Sequence, residues 1–268
     1  MGRQDAVPSE QAVLTIAAPE AAAELSGAFE AQVLSKLGHE LRSPLAAVIG
    51  LTRISLMRLA AGQADVATQV RQLEMIQASA ATSLATIEQV VELARIESGR
   101  VCASSQLLDC RDLIADAAAE LQEAATERGL RLCADVPRYP VVIATDPGML
   151  GLLLRELVGN ALLFADAGEV WIRLHVGDGS VVIDVSDDGP GIPQCDQTRI
   201  FEPFERGANA AERDDGAPGL GLCLARMRAR LLGAQLTVRQ AGSGSTFSIT
   251  MADPHLQPGA GPGTDRRG

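Results

Sequence analysis

Between Leu34 and Leu59 apolar residues recur at helical spacing, with Leu34, Leu41, Val48 and Ser55 on one heptad position and Leu37, Pro44 and Leu51 on the other. After a break at Ala61-Gly62 the pattern is clearer. Val66, Val70, Leu73, Gln77, Ala80, Leu84, Ile87, Val91 and Ala94 alternate spacings of four and three, the seam of a coiled coil. Ser98-Gly99 closes this second helix, glycine being a natural stop. Two such helices cannot bury both seams alone. The pattern predicts an antiparallel hairpin that joins a second copy in a four-helix bundle.

Past about residue 104 the periodicity shortens and mixes. Helices are predicted over Asp112–Arg128, Met149–Ala165 and Cys223–Leu232, and strands over Leu130–Val136, Val170–Val176 and Ser180–Val185. Gln235–Arg239 with Thr246–Met251 reads as a closing hairpin. Gly, Pro and Asp cluster at 187–196 and 207–219. The expected fold is α+β in two domains, a helical hairpin followed by an α/β sandwich. The expected division is 1–27 as a leader or connecting helix opening at Pro19, 28–100, 104–253, and a Gly/Pro-rich tail at 254–268.

Composition narrows the function. Aromatics are only 3% of 268 residues, with Ala and Leu filling the space, which favours helix-on-helix packing. The formal charge of −11 argues against a general nucleic-acid partner, yet leaves room for one nucleotide held by glycine loops and a metal. Five cysteines with no C-x-x-C pair read as reduced, mostly packed thiols. No contiguous apolar run approaches the ~20 residues of a membrane span, so a soluble, cytoplasmic chain is expected.

Four stretches carry candidate chemistry. In Leu37-Gly38-His39-Glu40-Leu41-Arg42-Ser43-Pro44, His39 lies opposite the seam, an exposed imidazole beside a carboxylate. Glu40 can take the ring proton as the other nitrogen attacks phosphorus, the bland alternative being a solvated pair. Pro44 suggests a place where bending is useful. On the helix Gly151–Ala161, Glu156 and Asn160 share a face. Asn160 is either a Mg²⁺ ligand or a core-edge amide. Asp187-Asp188-Gly189-Pro190-Gly191, at a strand end, is a base-reading carboxylate with close-approach glycines, or a simple turn. Gly219-Leu220-Gly221 leads into a helix whose N-terminus can meet phosphate, or is a surface loop.

Together and in this order the stretches resemble a bacterial sensor histidine kinase of a two-component system, over about residues 30 to 252. His39–Pro44 is similar to the family's H-box, Asn160 sits in its N-box, and Asp187–Gly191 matches its first glycine box. Ile200-Phe201-Glu202-Pro203-Phe204 resembles the F-box, Gly219–Gly221 the second glycine box, and Gly242–Phe247, with Thr246, the closing glycine-threonine element. The resemblance implies a homodimeric phosphoacceptor domain, a Bergerat-type ATP-binding domain with ATP and Mg²⁺, and a response-regulator partner. It implies His39 as phosphoacceptor, Asp187 on the adenine amine, Asn160 on Mg²⁺, and Glu205–Pro218 as a mobile lid. Glu156 is a further metal candidate; its position often holds asparagine in kinases, and glutamate in the related ATPases, where it activates water. Two positions depart from the family pattern. Leu163 stands where lysine is usual, and Arg206 or Arg213 of the lid could compensate. Ser43 stands where threonine orients water for the reverse phosphatase step. The rival readings are a pseudokinase scaffold and a Bergerat-type ATPase without phosphotransfer. The Gly99–Ser105 region is the expected hinge.

Overall fold

The computed structural model describes residues 10–63, 65–166, 168–177, 179–207, 218–242 and 244–252, and the chain divides into two units between Thr86 and Ile87. The leader's first residues, the lid from 208 to 217 with Arg213, Ser243, and the tail with His255 lie outside the described residues.

The first unit is a helical hairpin. Helix α1 spans Glu10–Ala60 and α2 spans Val66–Glu97, so the division falls inside α2 and its last turns belong to the second unit. Helix α1 begins before the expected opening at Pro19 and is assigned continuously through Pro19 and Pro44. At Gly62, φ is +68°, which is the turn the Ala61-Gly62 break predicts. Leu37, Leu41, Pro44, Val48, Leu51 and Ser55 form the half-buried inner face of α1, as the periodicity predicts, whereas Leu34 is exposed. Every residue of the α2 heptad seam from Val66 to Ala94 is exposed. The face turned inward in this unit is instead Gln72, Ile76, Ser79, Ser83 and Thr86, mostly small or polar. Ser55 Oγ donates to Gln72 Oε1 at 2.8 Å, and Ser83 and Thr86 donate to carbonyls one turn back. The hairpin therefore closes on a polar stripe and leaves its more apolar seam uncovered.

The second unit holds a sandwich of helices on one face of a five-stranded sheet. Strands β1 (Gln106–Asp109) and β3 (Val142–Thr145) form a separate antiparallel pair that the sequence pattern did not predict. The main sheet has the order β2-β4-β5-β7-β6, with β2 Arg131–Asp135, β4 Glu169–Gly177, β5 Ser180–Ser186, β6 Gln235–Ala241 and β7 Gly244–Ala252. Only β2 and β4 run parallel. The expected hairpin β6–β7 is present, and the two expected strands β4 and β5 also pair antiparallel across a short turn. Alternation sets the layers: Val170, Ile172 and Leu174 face the core, as do Val181, Ile183 and Val185 of β5. The helices are α3 (Cys110–Glu127), α4 (Pro147–Phe164) and α5 (Gly221–Leu231). Leu150, Leu153, Leu154, Leu157 and Val158 of α4 are fully buried at its centre.

What fixes the start of α4 is Asp146. Its side chain accepts from Met149 N at 2.9 Å, and Pro147 follows in the first turn. It also accepts from Ser104 N at 2.8 Å, which ties the end of the expected hinge to this helix. Asp146→Ala is expected to cost about 1 kcal/mol, read as a lower urea midpoint. The Met149 and Ser104 N–H groups hold the Asp146 carboxyl below its ordinary value. A carboxyl depressed in the folded state stabilises above its unfolded value and loses that contribution as pH falls through the folded one. The gap between wild type and variant should therefore close in acid.

Two further expectations change. Val33–Ala60 and Pro147–Phe164 are each long and apolar enough, by length and composition, to cross a membrane. Isolated charges interrupt the runs without lowering the mean hydropathy enough to exclude them. Half of the second window is buried as core. Among the cysteines, only Cys110 and Cys223 are buried, and burial pushes their thiols up to about 12 and about 11. Cys102 and Cys195 are exposed rather than packed.

Candidate functional site

Helix α4 supplies one wall of a cavity in the second unit. Glu156, Asn160, Leu163 and Phe164 recur at helical spacing and all line it. The end of β5 brings Asp187, and the loop behind it brings Gly191 and Ile192. Gly219 and Gly221 close a third side at the start of α5, and Ser245 and Phe247 of β7 form the floor.

Asp187 is oriented by backbone. Its Oδ1 accepts from Gly189 N at 2.9 Å and from Ser245 N at 3.3 Å, which leaves Oδ2 for a ligand. Burial pushes this carboxyl up, against the pull of those two N–H groups. Gly189 is required for packing rather than contact: a Cβ there would run into the Phe164 carbonyl oxygen. At Gly221 a Cβ would meet the Glu156 carboxylate, which would have to move aside. Glu156 thus sits against the N-terminus of α5, where free N–H groups and the helix dipole favour negative charge. Burial pushes its carboxyl up, Arg228 draws it down, and Glu92 adds to the rise.

Asn160 is the polar outlier of the cavity. Its Nδ2 is buried with no hydrogen-bond partner, a cost of about 1–3 kcal/mol for a buried donor left unmade. A buried amide in that state fits a ligand-facing residue better than a core-edge one. Its carbonyl oxygen and the Glu156 carboxylate are hard oxygen donors of the type Mg²⁺ prefers. Among the described residues no cluster of three His, Cys, Asp or Glu makes a metal cage, so a metal here would share its remaining ligands with a bound anion.

Besides Gly189, three expected contact residues lie beside the cavity, not on it. Phe201, in a short 3-10 turn at Arg199–Phe201, is buried edge-to-face against Phe247 with ring centroids 6.4 Å apart. Phe204 has φ +61° and donates its N–H to the Gly219 carbonyl, bracing the glycine turn. Thr246 is buried with its hydroxyl 3.1 Å from that of Ser186. These residues support the walls. Their neighbours Ile200, Phe247 and Ser245 do the lining. Leu163 and Arg206 both line the cavity, so the missing lysine leaves an apolar side chain there with an arginine across the same space. The residue sequence reasoning missed is Gln89, which reaches the cavity from α2. Only its place as an odd polar residue between Ile87 and Val90 hinted at it.

In the first unit, His39, Glu40 and Ser43 are all exposed on α1, with His39 on the side away from its half-buried face.

Comparison with known proteins agrees with this arrangement. Residues 145–255 match the family of histidine kinase-, DNA gyrase B- and HSP90-like ATPases, and residues 29–99 match the His Kinase A (phospho-acceptor) domain. The signal transduction histidine-protein kinase BarA of Escherichia coli K12 is 30% identical over 233 residues. That match covers 84% of this chain, which spans about a quarter (25%) of the length of BarA. Full-length ShkA in complex with AMPPNP superposes with a TM-score of 0.60 at 26% identity, over 82% of this chain and 45% of ShkA. Histidine kinase ThkA in complex with the response regulator TrrA gives a TM-score of 0.68 over 93% of this chain and 68% of ThkA. At 19% identity that last likeness concerns the fold alone.

Proposed function

The chain belongs to the bacterial two-component sensor histidine kinases, and we propose from that premise that it is an ATP-dependent protein-histidine kinase that phosphorylates itself on His39. One observation carries the reading. The same chain places Asn160, Glu156 and Asp187 around one cavity and presents an exposed His39-Glu40 pair on a helix. The domain bounds that go with it are 28–100 for the phosphoacceptor unit and 104–253 for the ATP-binding one.

In this reading ATP enters the cavity with its adenine amine on Asp187 Oδ2 and its phosphates toward Asn160 and the start of α5. Asn160, with Glu156 close by, would hold Mg²⁺, which would supply charge neutralisation on the phosphates. A ring nitrogen of His39 attacks the γ-phosphorus, the bond to the β–γ bridging oxygen breaks, and ADP leaves. Glu40 takes the proton from the other ring nitrogen. Most of the rate would come from positioning and electrostatics, as in phosphoryl transfer generally. The phosphoryl group then passes to an aspartate of a response-regulator receiver domain, the kind of partner with which ThkA was crystallised. Ser43, one turn from His39, keeps a hydroxyl for a water in the reverse step but lacks the methyl that restricts threonine. The reaction places residues 28–253 in the cytoplasm, where ATP is found.

The proposal includes a homodimer. Val66, Val70, Leu73 and Leu84 are 73%, 48%, 61% and 57% exposed along the α2 seam, and a second copy of the same seam would cover them.

Incubation with γ-labelled ATP and Mg²⁺ tests the function directly. Acid-labile, base-stable label on the protein is the expected result. Release of inorganic phosphate without labelled protein would favour an ATPase, and neither product would leave only a scaffold.

A further inference from the structure

The last turns of α2 belong to the same unit as the cavity and reach its edge. Gln89 lines the cavity, and its Oε1 is buried with no hydrogen-bond partner. Two side-chain amides of one cavity, those of Gln89 and Asn160, are therefore buried and incompletely paired. Since amide oxygen and nitrogen exchange by a half-turn, each can present either a donor or an acceptor to a ligand. One turn further along α2, Glu92 grips Arg228 of α5 with two bonds, Nε to Oε1 at 2.9 Å and Nη2 to Oε2 at 2.6 Å. Arg228 is only 7% exposed at its side chain, so this fork is anchored in the wall rather than on the surface. Leu93 and Ile96, on the following turns, are buried at 3% and 8% exposure. The fork ties this turn of α2 to α5.

Arg228 and Glu92 both act on the Glu156 carboxylate, which lies at the N-terminus of α5. Gln89 precedes Glu92 by one turn and lines the same cavity as Glu156.

We propose that Gln89 is a nucleotide-contacting residue contributed by α2, that its amide meets the phosphate end of the ligand, and that the Glu92–Arg228 fork positions it there. The site is then incomplete without the helix that also forms part of the hairpin. Nucleotide occupancy is felt by α2, and by linkage any shift of α2 is felt as nucleotide affinity. This rests on the reading of the cavity as an ATP site.

Isothermal titration of the full chain with AMPPNP and with adenosine, each with and without Mg²⁺, tests it. Gln89→Ala should weaken AMPPNP binding about ten- to a hundred-fold, the loss of one hydrogen bond to a charged group, and leave adenosine unchanged. Gln89→Glu should weaken AMPPNP further, because a carboxylate would face phosphate, and most strongly without Mg²⁺. Glu92→Gln should weaken AMPPNP about two- to three-fold while Glu88→Gln, on the exposed side of the same helix, should not. Hydrogen exchange across Ile87–Glu97 should slow on adding AMPPNP in wild type and less so in Gln89→Ala. Equal affinities in wild type, Gln89→Ala and Gln89→Glu would overturn the proposal and spare the ATP site. Tighter binding in Gln89→Ala would also overturn it, by showing that α2 competes with the ligand. No binding of AMPPNP by wild type would overturn the reading of the cavity itself, and this proposal with it.

Discussion

His39→Gln should fold, dimerise and bind ATP like wild type, yet give no acid-labile label from γ-labelled ATP. Glutamine matches imidazole in polarity and in rough length but has no nucleophilic lone pair on nitrogen, because the amide delocalises it. The side chain is exposed on α1, so no packing is lost. Surface changes of this kind usually move stability by less than about 0.5 kcal/mol. The effect should therefore appear in the chemical step alone, as a fall of label to background with an unchanged dissociation constant for ATP. The other histidines stand in different settings. His175, on β4, lies 3.5 Å from Asp184 in the other unit, and His255 is in the tail. Acid-labile label retained on the variant would move the phosphoacceptor elsewhere and remove the main argument for the α1 helix as its carrier.

Asp187→Asn should lower ATP affinity by about 10–100-fold and weaken the preference for ATP over GTP. The geometry makes this sharper than the sequence did. Backbone N–H groups of Gly189 and Ser245 both point at Oδ1. In the variant the amide oxygen must stay with those two donors, so its NH₂ is forced toward the ligand. An adenine amine would then meet a donor, a repulsive contact added to the lost bond, whereas the O6 acceptor of guanine would be accommodated. Competition between ATP and GTP for the purified chain measures it. An unchanged ATP preference in Asp187→Asn would mean that the carboxylate does not read the base.

How far these elements were legible in the chain varied with the range of the physics involved. The helices α2, α3, α4 and α5, the strands β4 and β5, and the β6–β7 hairpin follow from local periodicity and turn chemistry, and the expected spans come within a few residues of those observed. The β1–β3 pair escaped because two four-residue strands, separated by more than 30 residues, leave almost no pattern in sequence. The start of α1 escaped because Pro19 reads locally as a helix opening, while the helix continues on both sides of it. The motif residues Glu156, Asn160, Asp187, Gly191, Gly219 and Gly221 do meet in one cavity. Phe201, Phe204 and Thr246 share motifs with lining residues but face the core or the backbone of a turn, an alternation that only packing reveals.

What the chain alone determined is therefore everything whose cause lies within a turn or two. That includes the two long amphipathic helices, the strand alternation, the glycines at tight turns, and the order of polar residues that marks the family. The tertiary structure decided which face of each element is used. Local periodicity marks the apolar seam of α2, but it does not show that within one chain the polar stripe of Gln72, Ser79, Ser83 and Thr86 is the one turned inward. That choice depends on what α1 offers in return, and Ser55 of α1 meets Gln72. Likewise Gln89 and Glu92 look like ordinary solvated residues until Arg228, 136 positions away from Glu92, is brought beside them by the fold. Contacts between positions so far apart cost chain entropy that no local pattern records, and they form only when the whole core forms with them.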